Sequence, residues 1–328
     1  MTVLVVTWSG DSPTVAAVCA QLEARGEHAF RFDTDLYPST TRISFELDAH
    51  STRIRFVSTG GEVDARDVRA VWSRRARIGE RLSPDLTPSM RRACIGESRA
   101  VLHGCLAQLD ALHVDREAAV LRASHKPLQL RWAQETGFEV PRTLLTSDGA
   151  QARRFSREPM RTLVAKPLTH FRIDEDERAR VVLTSRVERR DLDDDAALAV
   201  CPTMFQEEVA KALELRVIVI GDEVFAAAVD SHAHAHTAVD WRAGARELAD
   251  RWFAHELPLE VAARAIELVR RFELHYGAID MILTPDGRYV FLELNPQGEF
   301  SWLEETGPRF PISRSIAALL ANGACARS

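Results

Sequence analysis

The C-terminal part of the sequence carries two carboxylates and one amide inside apolar segments. Asp280 lies within "AIDMIL", and Glu293 and Asn295 lie within "VFLELNP". Side chains on a β-strand point alternately to its two faces, so Glu293 and Asn295 share a face. The turn residues 285–287, Pro-Asp-Gly, predict a hairpin that brings Asp280 beside them. Three hard oxygen ligands on adjacent strands suit one or two Mg²⁺ ions that also bind phosphate.

The residues around this hairpin decide between a metal site and a polar face that meets solvent. A half-exposed strand would alternate polar and apolar residues. Here apolar residues flank both Asp280 and Glu293, which indicates that both faces of the hairpin are buried. A buried carboxylate is costly unless it is paired or binds a metal ion. We therefore favour the metal site.

Lysine is rare in this sequence and for that reason informative. Lysine and arginine total 42, and only three of them are lysines: Lys126, Lys166 and Lys211. Lys126 begins a predicted helix and Lys166 ends a predicted strand. Two compact ammonium groups near a metal site fit the phosphates of a nucleoside triphosphate. Taken alone, either lysine would more often be a solvated surface residue, and it is the pairing with the acidic hairpin that favours a phosphate site.

The segment "FQEEVAKALELRVIVIGD" (205–222) is a candidate for binding the rest of a nucleotide. Its apolar strand runs into a link, Gln206 to Val209, that can present backbone N–H and C=O groups of Glu207 and Val209 to an adenine edge. Glu214 and Arg216 share a strand face, which suits a ribose hydroxyl and a phosphate. The alternative is an exposed cross-strand ion pair.

The segment "AVDSHAHAHTAVDWR" (228–242) is a candidate for the second substrate. Asp230, Asp240 and Arg242 could orient a carboxylate and assist deprotonation of a hydroxyl group. Three alternating histidines in this segment could also bind a metal ion, but we favour a polar loop. These histidines are His232, His234 and His236.

The composition excludes several classes of protein. The chain has 328 residues, of which 46% are hydrophobic and 27% charged, and a net charge of −6 gives no basic field for nucleic acid. No apolar run reaches the roughly 18 residues that span a membrane. The N-terminus lacks the features of a signal peptide, and the five cysteines are scattered, so we expect reduced thiols in the cytoplasm. The charged segments 72–77, 153–161 and 191–196 are predicted to be surface, although either basic one could meet an acidic peptide.

The periodicity of apolar residues predicts an α/β fold. Residues 2–7 are predicted to form a strand, and residues 13–25 a helix capped by Asp11 or Ser12. Further helices are predicted at 85–111 and 124–137. Another is predicted at 257–277, ended by Gly277, and the last helix is predicted to end at Gly323.

The order of these motifs resembles that of the ATP-grasp superfamily of carboxylate–amine ligases. Several segments resemble more closely the microviridin-type peptide ligases, also called graspetide synthetases. Seven of them occur in the order of that family: "FRFDTDLYP", "ASHKPLQLRWAQETGFEVPRTLLT", "KPLTHF", "QEEVAKALELRV", "AVDS", "DWR" and "FLELNPQGEFSWLEETGPRFPIS". Single segments are weak signals, but seven in one order are specific.

The resemblance implies an ATP-grasp fold of the α/β (α+β) class with three lobes. These are an N-terminal pre-ATP-grasp lobe (1–115), a central lobe (116–205) and a C-terminal lobe (206–328), with ATP between the last two. Matched by motif, the phosphate contacts are Lys126, Lys166 and Arg216. The base and ribose contacts are Gln206, Glu207, Val209 and Glu214. The Mg²⁺ ligands are Asp280, Glu293 and Asn295, and the residues nearest the chemistry are Arg216, Asp230, Asp240 and Arg242.

One feature departs from the superfamily pattern. ATP-grasp enzymes commonly cover the phosphates with a glycine-rich loop, whereas the loop after Lys166 reads "PLTHFRIDEDERAR". We expect a different arrangement there, with Thr169, His170 and Arg172 as candidate phosphate contacts.

The resemblance also implies the substrate, a ribosomally made precursor peptide with a leader and a core. The family activates Asp or Glu side chains with ATP and joins them to Ser or Thr hydroxyls, or to Lys amines, as ω-ester or ω-amide rings. It further suggests a homodimer. Two alternatives stay open: a ligase that adds a free amino acid to a peptide, and a nucleotide-binding regulator without catalysis. The complete set of lysines and metal ligands argues against the regulator.

Overall fold

The first part of the chain forms a parallel β-sheet with a small antiparallel sheet beside it. The computed structural model describes residues 2–11, 13–157, 162–169, 172–175, 178–231, 241–244 and 247–325. The elements up to residue 114 are β1 (Thr2–Thr7), α1 (Thr14–Glu23), β2 (His28–Asp33), β3 (Arg42–Leu47), β4 (Thr52–Ser58), β5 (Gly61–Asp64), β6 (Val68–Ser73), α2 (Pro88–Ala107) and β7 (Leu112–Val114).

The parallel sheet has the strand order β2-β1-β6-β7. Strand β1 is apolar almost throughout because it is covered on both faces. Helix α1 covers one face through Val15 and Val18, and α2 covers the other through Leu102 and Leu106. The carboxyl ends of all four strands lie along one edge, where α/β proteins place their ligand sites. Strands β3, β4 and β5 form the antiparallel sheet.

The middle of the chain forms a four-stranded antiparallel sheet in the order β12-β9-β13-β8. Its elements are α3 (Glu117–Ala123), α4 (Lys126–Glu135), β8 (Thr143–Thr146), α5 (Gly149–Arg157), β9 (Leu163–Lys166), β10 (Arg172–Glu175), β11 (Arg178–Val181), β12 (Ser185–Arg186), α6 (Arg189–Asp193), α7 (Asp195–Val200) and β13 (Thr203–Glu207). Ala152 and Leu192, from α5 and α6, pack against Phe205 on one face of this sheet.

The C-terminal part forms a five-stranded antiparallel sheet in the order β16-β15-β14-β17-β18. Its elements are β14 (Leu213–Ile220), β15 (Glu223–Val229), β16 (Phe253–Ala254), α8 (Leu259–Arg271), β17 (Tyr276–Leu283), β18 (Tyr289–Asn295), α9 (Ser301–Glu305) and α10 (Ile312–Cys325). Alternate residues of β14 enter two cores: Val217 and Val219 pack with α8, and Ile218 and Ile220 pack with α10. The sheet is therefore buried on both faces.

The α/β class and the two C-terminal hairpins are confirmed, but two predictions about helix ends are wrong. The N-cap position of α1 is Pro13, which makes no side-chain cap, and Asp11 binds Arg74 instead; Ser12 lies outside the described residues. Helix α8 ends at Arg271, and Gly277 lies inside β17. The apolar pattern continues across the turn between α8 and β17, which is why it suggested one long helix.

Two other predictions concern boundaries. Helix α10 continues to Cys325, past the predicted end at Gly323. The lobe boundaries after residues 115 and 205 stay predictions; strand β13 crosses the second of them. In the described part of the chain no helix is both long and apolar enough to cross a membrane.

Candidate nucleotide and metal site

Three charged side chains form a row across neighbouring strands of the C-terminal sheet. Arg216 on β14 is in register with Asp280 on β17, and Asp280 is in register with Glu293 on β18. Arg216 Nη1 lies 3.0 Å from Asp280 Oδ1, and both side chains are largely buried. The predicted hairpin thus brings the two carboxylates together, and β14 adds a guanidinium group to them.

Asn295 extends this row along β18. It is in register with Ala278, two residues from Asp280 on the same face of β17. The register shifts next to Asp280 and leaves Leu292 without a partner, as in a β-bulge. Because of this extra residue, Leu292 lines a cleft beside the row together with Ile282 and Glu214, although strict alternation with Glu293 would place it on the opposite face.

Two cations lie against Glu293. Lys126 Nζ is 2.5 Å from Glu293 Oε2, and Arg242 Nη1 is 3.8 Å from Oε1. Lys126 is the first residue of α4, so the start of the helix places it at β18. Although burial acts to raise the pKa of Glu293, Lys126 and Arg242 together hold that pKa well below its ordinary value. Glu293 is therefore a charged carboxylate throughout the neutral pH range.

The negative charge of Asp280 is offset by fewer neighbouring cations than that of Glu293. Burial outweighs the neighbouring Arg216 and raises the pKa of Asp280 to about 7. Within the described part of the chain, Asp280 Oδ1 makes no hydrogen bond, and neither does Arg216 Nη1, in spite of their short separation. A buried anionic oxygen without a hydrogen bond is unfavourable. A further positive charge beside Asp280 would stabilise it.

The oxygen donors of this row suit Mg²⁺. Asn295 Oδ1 accepts a hydrogen bond of 3.1 Å from the backbone N–H of Gln297, which orients the side chain. Among the described residues, no group of three or more Asp, Glu, His or Cys side chains could hold a metal ion unaided. Mg²⁺ is usually held by one or two carboxylates together with phosphate and water, and Asp280 and Glu293 are two such carboxylates.

A cleft lies beside the row, between the central and C-terminal sheets. Its apolar walls include Pro141, Val164, Ile282 and Leu292. Four of the residues predicted to bind nucleotide also line it: Lys166, Glu207, Val209 and Glu214. The structure therefore brings these four residues to one cleft, and their roles in binding a nucleotide stay predictions.

All three lysines of the sequence lie at this site. Lys126 contacts Glu293, Lys166 lines the cleft at the end of β9, and Lys211 Nζ lies 2.5 Å from Glu214 Oε1. Lys211 and Glu214 are both buried. No role for Lys211 follows from its sequence context, but the rarity of lysine was a signal that could have identified it.

Gln129 is a site residue that the sequence motifs do not reveal. It lies on α4 and is 1% exposed. Its Oε1 accepts a hydrogen bond of 3.0 Å from the backbone N–H of Leu294, and its Nε2 donates to the Leu294 carbonyl oxygen at 2.7 Å. Nε2 also donates to the carbonyl oxygen of Ala123. The carboxamide thus replaces a neighbouring strand at the edge of β18, between Glu293 and Asn295.

Replacing Gln129 with methionine is expected to raise the Mg²⁺ concentration needed for half-maximal activity about tenfold, because residues that orient metal ligands affect affinity on that scale. Mg²⁺ titration of ATP turnover measures this effect. Thr136→Val is the control, since it removes a buried hydrogen bond at the other end of the same helix. An equal change in both variants would show that Gln129 acts only through general stability.

The residues predicted for the second substrate are partly described. Asp230 directly follows β15 and is exposed. Asp240 and the three alternating histidines lie outside the described residues, as does His170 of the predicted lid. Arg242 lies in a short 3₁₀ turn, Trp241–Gly244. It is the member of this group that the structure places at the row, beside Glu293.

The 3₁₀ turn that carries Arg242 is anchored by aromatic packing. The ring of Trp241 packs against those of Trp252 and Trp302, with centroids 5.2 and 5.8 Å apart. The guanidinium carbon of Arg216 lies 5.9 Å from the centroid of the Trp241 ring. The same tryptophan therefore contacts Arg216 and holds the backbone next to Arg242.

The basic segment 72–77 is not all surface, contrary to the prediction. Arg74 is 3% exposed; it donates to Asp11 Oδ2 at 3.0 Å and to Glu299 Oε2 at 2.5 Å. Glu299 follows Asn295 by four residues. The carboxyl edge of the N-terminal sheet is thus bonded to the loop that leaves the metal-binding strand.

Comparisons with known proteins show what the chain is similar to. Residues 2–120 match the sequence family described as the MvdD pre-ATP grasp domain. The macrocyclase MdnC of Microcystis aeruginosa MRC, solved with the precursor peptide MdnA, is 38% identical over 98% of this chain and 100% of that chain, with a TM-score of 0.89. No curated protein matches the chain.

Two further solved structures are similar over nearly their whole length. A RiPP-associated ATP-grasp ligase of Chryseobacterium gregarium, in complex with ADP and a leader and core peptide, is 33% identical over 98% of this chain and 96% of that chain, with a TM-score of 0.93. The macrocyclase MdnB of Microcystis aeruginosa MRC is 34% identical over 97% and 98% of the two chains, with a TM-score of 0.81.

Proposed function

The chain belongs to the ATP-grasp macrocyclases that modify ribosomal peptides, and we propose that it closes side-chain rings in a precursor peptide of its own. The row formed by Arg216, Asp280 and Glu293, next to a cleft lined by Lys166 and Glu214, is the observation that carries this proposal. The shared fold alone would not support an activity, but this row supplies the charges that phosphoryl transfer needs.

The charges of the cleft suggest how ATP lies in it. The base would enter between the apolar walls and meet the backbone at Glu207 and Val209. The carboxylate of Glu214, oriented by Lys211, would accept a hydrogen bond from a ribose hydroxyl. Lys126, Lys166 and Arg216 would then lie along the phosphates.

Asp280, Glu293 and Asn295 would hold Mg²⁺ between this chain and the phosphates. The metal ion would offset negative charge on the transferred phosphoryl group. The remaining charge would be offset by Arg216 and Lys126, which already lie at the row. Both cations are fixed by the fold, so little rearrangement is needed when the phosphoryl group moves.

The proposed reaction has two steps. An Asp or Glu carboxylate of the peptide attacks the γ-phosphorus, so that an acyl phosphate forms and ADP leaves. A Ser or Thr hydroxyl, or a Lys amine, of the same peptide then attacks the acyl carbon, and phosphate leaves while the nucleophile loses its proton. Arg242 would orient the peptide carboxylate, and Asp230 and Asp240 would accept the proton. Water must be excluded, because it would hydrolyse the acyl phosphate.

Mass spectrometry of a precursor peptide tests this function. The substrate is a short peptide encoded beside the enzyme, with Thr and Glu or Asp residues near its C-terminus. After incubation with enzyme, ATP and Mg²⁺, the peptide should lose one water mass for each ring that forms. One ADP should be released for each of these rings. A gain of an amino-acid residue mass would instead indicate the free-amino-acid ligase, and the absence of ADP would indicate the regulator. Alkaline hydrolysis of the product distinguishes esters from amides.

Further features are proposed on family membership. These are the three-lobed division at residues 115 and 205, docking of the leader on the central or C-terminal lobe, a homodimer, and a cytoplasmic location. Cys19, Cys94, Cys105 and Cys201 are free thiols, which agrees with a reducing compartment. Sedimentation equilibrium of the purified chain would test the homodimer.

A further inference from the structure

Three of the six tryptophans of the sequence lie together beside the row. Trp241 begins the 3₁₀ turn described above, Trp252 directly precedes β16, and Trp302 lies on α9. The ring centroids of Trp252 and Trp302 are 4.8 Å apart, so each ring of this tryptophan cluster contacts the other two. Aromatic pairs at such distances add packing energy beyond the area that they bury. The cluster therefore joins three separate segments of the chain.

Two of the three rings are fixed by the fold around them. Trp252 is 4% exposed. Trp302 is followed by Leu303, which is fully buried in the core that the N-terminal and C-terminal sheets share. The hydroxyl of Thr306, at the end of α9, lies 2.9 Å from the carbonyl oxygen of Trp302 and 3.3 Å from that of Ala249. Trp252 and Trp302 are thus a rigid pair, against which a third side chain can be positioned.

The 3₁₀ turn that carries Arg242 is attached at both ends. Its last residue, Gly244, accepts backbone hydrogen bonds from Glu247 and Leu248 at 3.0 and 3.1 Å. Its first residue, Trp241, is attached through its ring to the rigid pair. Arg242 lies between these two attachments, so the packing of the Trp241 ring sets where the backbone of Arg242 lies.

The two arginines beside the cluster differ in their other support. Arg216 is buried on β14 and lies 3.0 Å from Asp280, so the sheet itself fixes its position. The side chain of Arg242 is 39% exposed, and its ion pair with Glu293 spans 3.8 Å. A partly exposed ion pair of this length is weak and does not fix a side chain. A loss of packing in the cluster should therefore displace Arg242 more than Arg216.

We propose that Trp302 is a positioning residue for ring formation, which acts through the Trp241 ring to hold Arg242 where it meets the carboxylate of the peptide. This inference rests on the proposed function, in which Arg242 orients that carboxylate. A guanidinium group binds a carboxylate best in one planar arrangement, so a small shift of the turn weakens the contact. Trp302 is then needed for the peptide substrate and much less for ATP.

Steady-state kinetics with the precursor peptide encoded beside the enzyme test this proposal. Trp302→Leu should raise the KM for the peptide about tenfold and leave the KM for ATP within about twofold of the wild type. Trp302→Phe retains an aromatic ring, so its KM for the peptide should lie nearer the wild-type value. Phe225→Leu is the matched control, since its ring pairs with that of Phe310 elsewhere in the same core. It should leave both KM values unchanged.

A double variant tests whether Trp302 acts through Arg242. Arg242→Met alone should raise the KM for the peptide, and Trp302→Leu in that background should raise it no further. A full second increase would overturn the proposal, because Trp302 would then act independently of Arg242. A lower kcat with an unchanged KM for the peptide would also overturn it, since general destabilisation lowers only the amount of active enzyme. If Trp302→Leu does not fold, Trp302→Phe takes its place in the same comparison.

The results separate this inference from the function on which it rests. If the wild type forms rings and Trp302→Leu leaves the KM for the peptide unchanged, only the role of Trp302 is overturned. If the wild type forms no ring with ATP and Mg²⁺ present, the proposed function is wrong, and the inference falls with it.

Discussion

Replacing Glu293 with glutamine is expected to lower ring formation by roughly a hundred- to a thousandfold, because it removes one charge from the phosphoryl-transfer site without changing the shape of the side chain. Glu293 is the carboxylate of the row whose pKa is held well below its ordinary value, so the full negative charge is lost. Lys126, which lies 2.5 Å from it, loses its counter-charge as well. The rate is measured by mass spectrometry at saturating ATP and precursor peptide over a range of Mg²⁺ concentrations.

Glu135→Gln is the matched control for this experiment. Glu135 lies on the same helix as Lys126 and forms ion pairs with Arg131 and Arg271, outside the cleft. Its replacement removes the same charge from a surface position, where ion pairs contribute little. Ring formation should stay within about twofold of the wild type. Wild-type activity in Glu293→Gln at ordinary Mg²⁺ concentrations would show that the assignment of the metal site is wrong.

The core of this site could be predicted from the sequence because two local rules place it. Strand alternation puts Glu293 and Asn295 on one face, and the turn at residues 285–287 sets the pairing with β17. The structure shows both features. The pairing of Arg216 with Asp280 needs a third strand, β14, whose neighbours are not determined by any local pattern.

Two other features of the site could not be predicted in this way. The β-bulge turns Leu292 toward the cleft, and no single residue type marks such a bulge. Gln129 bonds to Leu294 across 165 residues of sequence. A glutamine in a helix of polar and apolar residues is ordinary, and its function follows only from the edge of β18 at Leu294, where it takes the place of a neighbouring strand.

The buried position of Arg74 could not be predicted from local sequence either, because its partners lie far away in the chain. A run of arginines is usually solvated, and the sequence of residues 72–77 contains nothing that singles out one of them. The structure places Arg74 between Asp11, 63 residues earlier, and Glu299, 225 residues later. Burial acts to raise the pKa of Glu299, but Arg74 and a hydrogen bond from Thr14 hold that pKa at about 2. Glu299 is therefore charged, and the N-terminal sheet is fixed to the loop after β18.

Replacing Arg74 with methionine is expected to lower the free energy of unfolding by about 3–5 kcal/mol, because it leaves a buried charge without its partner. The side chain of Asp11 is 5% exposed, and among the described residues the hydroxyl of Thr7, 3.0 Å away, would be its remaining side-chain hydrogen-bond donor. The N-terminal and C-terminal sheets share one core, in which Val3 and Trp72 pack with Ile218 and Phe300. Loss of the ion pair should therefore destabilise both sheets together, as urea unfolding followed by tryptophan fluorescence would show.

Two further variants decide whether the buried charge is the cause. Arg66→Met removes an exposed arginine that pairs with Asp64 at 2.7 Å, and we expect little change in stability. In the double variant, Asp11→Asn together with Arg74→Met, no unpaired charge is left at position 11, so part of the lost stability should return. The effect of Asp11→Asn is also measured in the otherwise wild-type protein. If Asp11→Asn lowers the free energy of unfolding by the same amount there and in the Arg74→Met background, the two side chains are energetically independent. The connection between the N-terminal sheet and the metal-binding loop would then depend on packing instead of charge.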